Sequence, residues 1–294
     1  MKHRFSPPVR RAAALACLLG LLGLTGCALG PLAPPADASA APSANSEPAA
    51  QGDEPPSMAG GFAGYSPSVS GTAWAAQSGR ISVAAPADAP GNLNWEIFRS
   101  PGKALTQYEY TRVDGRDAVL AVSKASAGLL RQRFRVEPQQ LGQVRFSWRV
   151  PQTIAGARVG ASNNDDAPVR VVMAFEGDRS KLSTKTALIS ELSRLLVNEE
   201  LPYATLAYVW SNVDAPGTVV HNARTDRIRS IVLESGEQRL NQWLEYERDI
   251  RADYIKAFGE PPGALISIAL LTDSDSMQGA VRAWYGPLQV VPAP

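Results

Sequence analysis

Cysteine and histidine are scarce in this chain of 294 residues, which contains two of each. Cys17, Cys27 and His3 lie near the N-terminus, so the rest of the chain lacks a disulfide pair and has His221 as its one histidine. A zinc site usually needs several Cys or His ligands. A serine triad would have to use His221, and the chain has no nucleophile elbow. We therefore expect no catalytic residue, no metal and no cofactor, and interpret His221 as a solvated loop histidine.

Phosphate-binding motifs and an excess of charge are lacking as well. The sequence has no glycine-rich phosphate loop and no dinucleotide fingerprint. Its 29 Lys and Arg residues against 28 Asp and Glu give a net charge of +1. This balance gives the protein no strong positive potential that would attract a polyanion, so we expect no nucleic-acid partner.

The N-terminus has the pattern of a bacterial lipoprotein signal. Basic residues precede an apolar run over 12–24, which is too short to span a bilayer. The run leads into Leu24–Cys27, the pattern of a lipoprotein cleavage site. We expect residues 1–26 to be a cleaved signal peptide and Cys27 to carry the lipid, palmitate included, that binds the chain to the membrane. Ala28 stands where Asp commonly retains lipoproteins at the inner membrane. The expected location is therefore the periplasmic side of the cell envelope, at the outer membrane.

Residues 27–79 are rich in Pro, Ala and Ser and hold few large apolar side chains. Such a segment cannot bury enough surface to offset the entropy lost on ordering. We interpret it as a tether with an end-to-end distance of roughly 40 Å. Residues 80–294 are then a single domain, large enough to form its own core.

Alternating apolar residues predict that this domain is mainly β. Two such runs flank Asp114-Gly115, whose tolerance of positive φ predicts a tight hairpin. Residues 144–150 alternate as a half-buried strand, whereas 264–271 are apolar on both faces and predict a central strand. The last strand, 281–291, is interrupted at Gly286-Pro287.

Two helices are predicted within the β pattern. One follows Ser183 and places Leu188, Leu192, Leu195 and Leu196 on one face. A shorter one over 251–258 ends at Gly259. Many short strands with one or two inserted helices predict a jelly-roll-type β-sandwich.

Several motifs recur in the order typical of one bacterial family. They are Phe146–Pro151, Asn164–Arg170, Tyr208–Trp210, Trp243–Arg248 with Asp253–Gly259, and Thr272–Asp275 with Trp284–Gly286. In these motifs the chain resembles the domain-of-unknown-function family 3047 over roughly 95–291. The resemblance implies a sandwich similar to galactose-binding-like and carbohydrate-binding domains, and it carries no established activity. Ser276-Met277 departs from the family pattern, in which we expect Asn or Thr after the second aspartate.

Charged residues within these motifs are the candidate ligand-binding set. Asp273 and Asp275 follow the central strand, but Met277 and Trp284 stand where a calcium loop needs oxygen ligands. Capping of backbone amides is the alternative for such aspartates. We expect the set to gather at one end of the sandwich, where strand-connecting loops meet. Its members are Asp165, Asp166, Arg170, Arg248, Asp253, Asp273 and Asp275.

A second candidate surface consists of arginines at alternate positions. If strand 130–136 pairs with 144–150, the two sets share one sheet face suited to an anionic envelope glycan. The alternative is a solvated face whose charges are matched by neighbouring carboxylates. The residues are Arg131, Arg133, Arg135, Arg145 and Arg149.

These patterns support three hypotheses of function. The first is a lipid-anchored envelope protein that binds a ligand, in particular a glycan, without catalysis. The second is a carboxylate-based enzyme that acts on polysaccharide. The third is an assembly or scaffold protein that docks a protein partner through a sheet face or through helix 188–196.

Overall fold

The structure, a computed structural model, describes residues 95–291 and 293. The predicted signal peptide, Cys27, the tether over 27–79 and residues 80–94 lie outside this part. Within it, no helix is both long and apolar enough to cross a membrane.

In the described residues, thirteen strands form two sheets that pack against each other as a sandwich, which confirms the predicted fold class. The seven-stranded sheet has the order β1-β4-β11-β6-β7-β9-β8. Its strands are β1 Glu96–Arg99, β4 Gly128–Val136, β6 Ala167–Phe175, β7 Ala204–Ser211, β8 Val219–His221, β9 Ile228–Ser235 and β11 Leu265–Asp273. All its pairs are antiparallel except β7 with β9, which is parallel.

The second sheet has the order β10-β5-β12-β3-β2, and β13 also pairs with β5. Its strands are β2 Gln107–Val113, β3 Arg116–Lys124, β5 Gln143–Arg149, β10 Trp243–Asp249, β12 Ala280–Tyr285 and β13 Gln289–Val291. β2 and β3 form the predicted hairpin, with Asp114 and Gly115 at φ 51° and 75°. β12 and β13 are separated at Gly286-Pro287, as the sequence indicates.

The core lies between the sheets and takes alternate residues from each strand. Phe146 of β5 stacks on Tyr208 of β7, with ring centroids 5.6 Å apart. Trp148 and Trp210 are buried, which confirms their interpretation as core residues. Leu270 of β11 is also buried in the core, and β11 lies between β4 and β6, so it is the central strand that the sequence predicts.

Both predicted helices are present. α1 spans Thr184–Val197 in the connection from β6 to β7, and the hydroxyl of Ser183 caps its N-terminus. α2 spans Ile250–Phe258 and ends at Gly259. The φ of Gly259 is 73°, in the left-handed region that glycine adopts more readily than residues with a Cβ atom. Short 3₁₀ turns occur at Pro138–Gln140 and Arg179–Lys181.

Candidate functional site

A cleft of about 1070 Å³ lies on the face of the seven-stranded sheet that is turned away from the core. Side chains alternate between the two faces of a strand. On β6, Val171 and Met173 therefore face the core, whereas Arg170, Val172 and Ala174 line the cleft.

The floor of the cleft is made of small side chains from the central strands. Val172 of β6 pairs with Ala207 of β7 and with Ala269 of β11, and all three line the cleft. Such short side chains leave open space above the sheet. Charged residues of these and neighbouring strands also line the cleft.

One wall of the cleft is formed by the arginines of β4. Arg131 and Arg133 both bind Glu96 of β1 and Glu199, which follows α1. Burial would raise the pKa of the Glu96 carboxyl, but hydrogen bonds from Arg133 and Arg131 outweigh it and hold the pKa below its usual value. Arg135 continues the row and binds Glu137 and Glu176. The wall is thus a network of matched charges.

The expected single surface of five arginines is wrong. β4 pairs with β1 and β11, whereas β5 pairs with β10, β12 and β13 in the other sheet. Arg145 of β5 binds Glu247 at 2.8 Å, and Arg149 binds Asp114 at 3.3 Å. Alternation gives the face of each strand but not its neighbour, so the two arginine sets lie on different sheets and each is matched by carboxylates.

At one end of the cleft, a buried arginine joins two carboxylates. The guanidinium of Arg170 donates to Asp165 Oδ1 at 2.8 Å and to Asp273 Oδ1 at 3.3 Å. Asp165 also accepts from the Gly160 amide at 2.8 Å and from Asn222 Nδ2 at 3.1 Å. Both aspartates line the cleft, so this network forms one end of it.

Asp273 has the most perturbed acidity of the network. Burial raises the pKa of its carboxyl to about 7; Arg170 lowers it, and the nearby Asp166 and Asp165 raise it. The amide of Ala167 donates to Asp273 Oδ1 at 3.1 Å. Asp273 therefore keeps its proton to a higher pH than an exposed aspartate does.

Asp166 and Asp275 complete this acidic group behind the cleft. Asp166 accepts from the backbone amides of Ser276 at 3.1 Å and Met277 at 2.7 Å, and Lys103 binds Asp275. Asp166, Asp273 and Asp275 each offer an oxygen within 4.8 Å of the others, an arrangement that could surround a cation. Protein donors thus engage all three carboxylates. Asp273 caps a backbone amide, as the alternative interpretation expects, whereas Asp275 forms an ion pair with the side chain of Lys103.

The structure brings five of the seven candidate residues together and places the other two elsewhere. Arg248 and Asp253 bind each other at 2.6 Å, and the hydroxyl of Tyr208 donates to Asp253 at 2.8 Å. Arg248 pairs with Val144 near the start of β5, whereas the acidic group lies beyond the end of that strand. The expectation that all seven share one end is wrong for this pair, because Asp253 belongs to α2 and turns toward β7.

His221 is exposed, as expected, although it belongs to edge strand β8 rather than to a loop. Sequence reasoning missed the residues that close the cleft near α1. They include Glu199, Arg179 and Tyr203. The signal that could have located the cleft is the set of small residues on one face of adjacent strands, Val172, Ala174, Ala207 and Ala269.

Comparison with solved structures finds distant likenesses. A xyloglucanase domain of NopAA, a type three effector from Sinorhizobium fredii solved with cellobiose, is 10% identical with a TM-score of 0.31. The match covers 68% of this chain and 98% of that one. A mutant of ENZbleach xylanase is 9% identical with a TM-score of 0.30, and the match covers 66% of this chain and 77% of that one.

A search of curated protein sequences finds no match. A family model described as "Protein of unknown function (DUF3047)" matches residues 93–289, which include the cleft and strands β1 to β12. This agrees with the resemblance carried by the sequence motifs. The chain belongs to the DUF3047 family.

Proposed function

We propose that this protein binds a glycan in the cleft of its seven-stranded sheet and does so without catalysis. The observation that carries the proposal is the cleft itself, an open groove of about 1070 Å³ with a floor of small side chains and walls of charged ones. Binding sites of this volume are concave, with an apolar surface and a few fixed polar groups.

The charges of the lining favour a neutral, hydroxyl-rich ligand over an anionic one. Among the residues that the structure describes, five arginines and six carboxylates line the cleft, so guanidinium and carboxyl groups nearly balance. Guanidinium groups only donate hydrogen bonds and carboxylates only accept them, whereas a sugar hydroxyl does both. Ion pairs such as Arg131 with Glu199 hold these donors and acceptors in fixed positions along the groove.

The absence of catalysis is proposed from the contacts of the cleft carboxylates. Asp165 and Asp273 share the Arg170 guanidinium, and each also accepts from a backbone amide. A general acid or nucleophile must reach the scissile bond. Neither carboxylate is free to do so without breaking this network.

The binding test is a glycan array followed by calorimetry on purified protein. Val172→Trp should fill the centre of the floor and abolish binding. Arg133→Ala removes a charge-assisted donor from the wall, which is worth about 1.5–3 kcal/mol, or about tenfold or more in Kd. Arg145→Ala is the matched control, because Arg145 is similarly exposed and ion-paired but lies on the other sheet. Binding that survives Val172→Trp, or that weakens equally in both arginine variants, would refute the cleft as the site.

A carboxylate-based enzyme acting on polysaccharide is the second candidate, and the pKa of about 7 at Asp273 favours it. A carboxyl poised near neutral pH, with a second carboxylate close by, suits acid–base work on a glycosidic bond. Release of reducing ends from a bound polysaccharide, lost in Asp273→Asn, would establish this alternative.

We further propose that the domain is held at the cell envelope, at the outer membrane, by a lipid on Cys27. The support is the sequence pattern that ends in Leu24–Cys27, together with Ala28. Fractionation of inner and outer membranes from cells that produce the full chain tests the location.

A further inference from the structure

Two tryptophans face outward from the second sheet, on the side turned away from the core. Leu244 of β10 and Tyr285 of β12 belong to the core. Because side chains alternate between the faces of a strand, their neighbours Trp243 and Trp284 point to the outer face. Both tryptophans are half-buried, so part of each indole is accessible. Large apolar side chains that cluster on a surface mark a contact site, whereas single ones do not.

The strand register places the two tryptophans in one row across the sheet. Arg149 of β5 is the direct partner of Trp243 on one side and of Trp284 on the other. Trp284 lies opposite Leu120 of β3, which lies opposite Glu109 of β2. At about 4.8 Å between strands, the tryptophans are about 10 Å apart and the row is about 19 Å long. We call these five residues the tryptophan row.

Neighbouring arginines hold the indoles in place. The guanidinium carbons of Arg149 and Arg282 lie 5.3 and 5.4 Å from the centre of the Trp284 ring. That of Arg116 lies 5.7 Å from the centre of the Trp243 ring. These are the distances of cation–π contacts. A ligand that stacks on these rings therefore meets a surface that is already ordered, which lowers the entropy lost on binding.

The polar groups beside the indoles offer both donors and acceptors. Arg282 and Glu109 are exposed, and neither forms an ion pair with another described residue. Guanidinium groups only donate hydrogen bonds and carboxylates only accept them, whereas a sugar hydroxyl does both. The C–H groups of a sugar ring are in turn attracted to the electron-rich face of an indole. A neutral sugar thus matches the apolar and the polar parts of this surface.

The apolar area of the tryptophan row is small. A large aromatic side chain has about 150–250 Å² to bury, and Trp243, Trp284 and Leu120 are already half-buried. Together they offer at most about 300 Å². An interface with a folded protein covers about 800 Å² of each partner, more than half of it apolar. The size of the row therefore favours a narrow polymer chain over a protein.

We propose that the tryptophan row is a second carbohydrate-binding site, which takes a neutral polysaccharide chain across β10, β5, β12 and β3. Sugar rings stack on Trp243 and Trp284, and their hydroxyl groups bind Arg282 and Glu109. The site lies on the other sheet from the cleft, and it does not depend on whether the cleft binds a glycan.

Affinity electrophoresis of the full chain in a non-denaturing detergent tests this site. The gels contain dextran, hydroxyethyl cellulose or galactomannan as neutral probes, or alginate as the anionic one. All variants are made in a Val172→Trp background, in which the cleft is filled. At least one neutral probe should retard the parent chain, and Trp243→Ala and Trp284→Ala should each raise the apparent Kd about tenfold.

Two further variants control for the loss of an apolar side chain. Leu192→Ala removes an exposed leucine of α1, far from the tryptophan row, and should leave the retardation unchanged. Trp284→Tyr keeps an aromatic ring and should bind more tightly than Trp284→Ala. If no neutral probe retards the parent chain, or the tryptophan and Leu192 variants behave alike, the proposal is wrong. Retardation by alginate alone would assign the surface to an anionic ligand and would overturn it as well.

Oxidation of indoles by N-bromosuccinimide tests the site without a substitution in the tryptophan row, so that a failure to fold cannot imitate a loss of binding. The neutral polysaccharide that retards the parent chain should protect Trp243 and Trp284, as measured by mass spectrometry of their peptides. Trp148 and Trp210 are buried and serve as internal references. Equal oxidation of Trp243 and Trp284 with and without saturating polysaccharide would refute the proposal.

Discussion

Replacing Asp273 by asparagine should change how the stability of the fold depends on pH. Burial is the main cause that raises the pKa of this carboxyl from its ordinary 3.8 to about 7. The folded protein therefore holds this proton more tightly than the unfolded chain does. The stabilisation that this proton gives is complete below about pH 4 and is lost as pH rises toward 7. Asparagine keeps the shape of the side chain but does not titrate. The stability of the variant should therefore not fall with pH for this reason.

The size of the effect follows from the two pKa values. At about 1.36 kcal/mol per pH unit, the interval between 3.8 and about 7 corresponds to about 4 kcal/mol. The free energy of unfolding of the wild type, minus that of Asp273→Asn, should fall by about this amount between pH 4 and 7 and then level off. Carboxyls with a lowered pKa, such as Glu96 and Glu260, make stability rise with pH. Both proteins contain them, so their effect cancels when the two free energies are subtracted.

Urea unfolding at a series of pH values from about 4 to 8 measures this difference. Asp114→Asn is the control, since Asp114 is largely exposed and asparagine tolerates its positive φ. Its curve shows the effect of replacing an exposed carboxyl by an amide. If the wild-type and Asp273→Asn curves run parallel across this range, or diverge with the opposite sign, the argument from burial is refuted.

Three further perturbations test other parts of the molecule. Gly263→Ala should destabilise the fold by about 1–3 kcal/mol, because the new Cβ would clash with the backbone carbonyl of Glu176, and an unchanged Tm would contradict this. Tyr208→Phe removes a donor to the buried Asp253 and should cost about 1–3 kcal/mol in urea unfolding, with full stability as the contrary result. Cys27→Ser should abolish labelling of the protein by radioactive fatty acid in cells, and retained label would rule out the lipid site.

Local signals in the sequence were sufficient for individual elements. Asp114-Gly115 predicts the β2–β3 hairpin because glycine, asparagine and aspartate accept a positive φ more readily than other residues. Apolar residues on both faces of 264–271 predict a central strand, and Ser183 and Gly259 mark the ends of helices. Each of these features depends on residues close together in the chain.

Features that depend on distant partners could not be predicted. The pairing of β4 with β11 rather than β5 joins residues far apart in the sequence, and alternation alone does not choose between them. The leucine face of α1 is exposed because Thr186 and Ser190 find polar partners elsewhere. The periodicity of the leucines shows that α1 has an apolar face. It does not show whether that face packs on the sandwich or is exposed.

The candidate site was predicted only in part, because some of its contacts are local in the sequence and others join distant strands. Asp165 and Arg170 lie at the start of β6, and Asp273 at the end of the antiparallel β11, so pairing brings them together. Arg248 and Asp253 are close to each other in the sequence and bind locally. The cleft was not predicted, since it arises from small residues on several strands whose order in the sheet the sequence does not reveal.

The central position of β11 also determines the order in which the fold can form. β4 and β6 are both made long before residues 265–273, yet neither can complete its hydrogen bonding until that strand enters between them. Folding of this sheet therefore waits for the C-terminal part of the chain, as expected for pairings of high contact order. Until then, two long strands have unpaired edges, which are templates for association with other chains. A chain that is cut short before Leu265 should consequently aggregate rather than fold into a smaller sandwich.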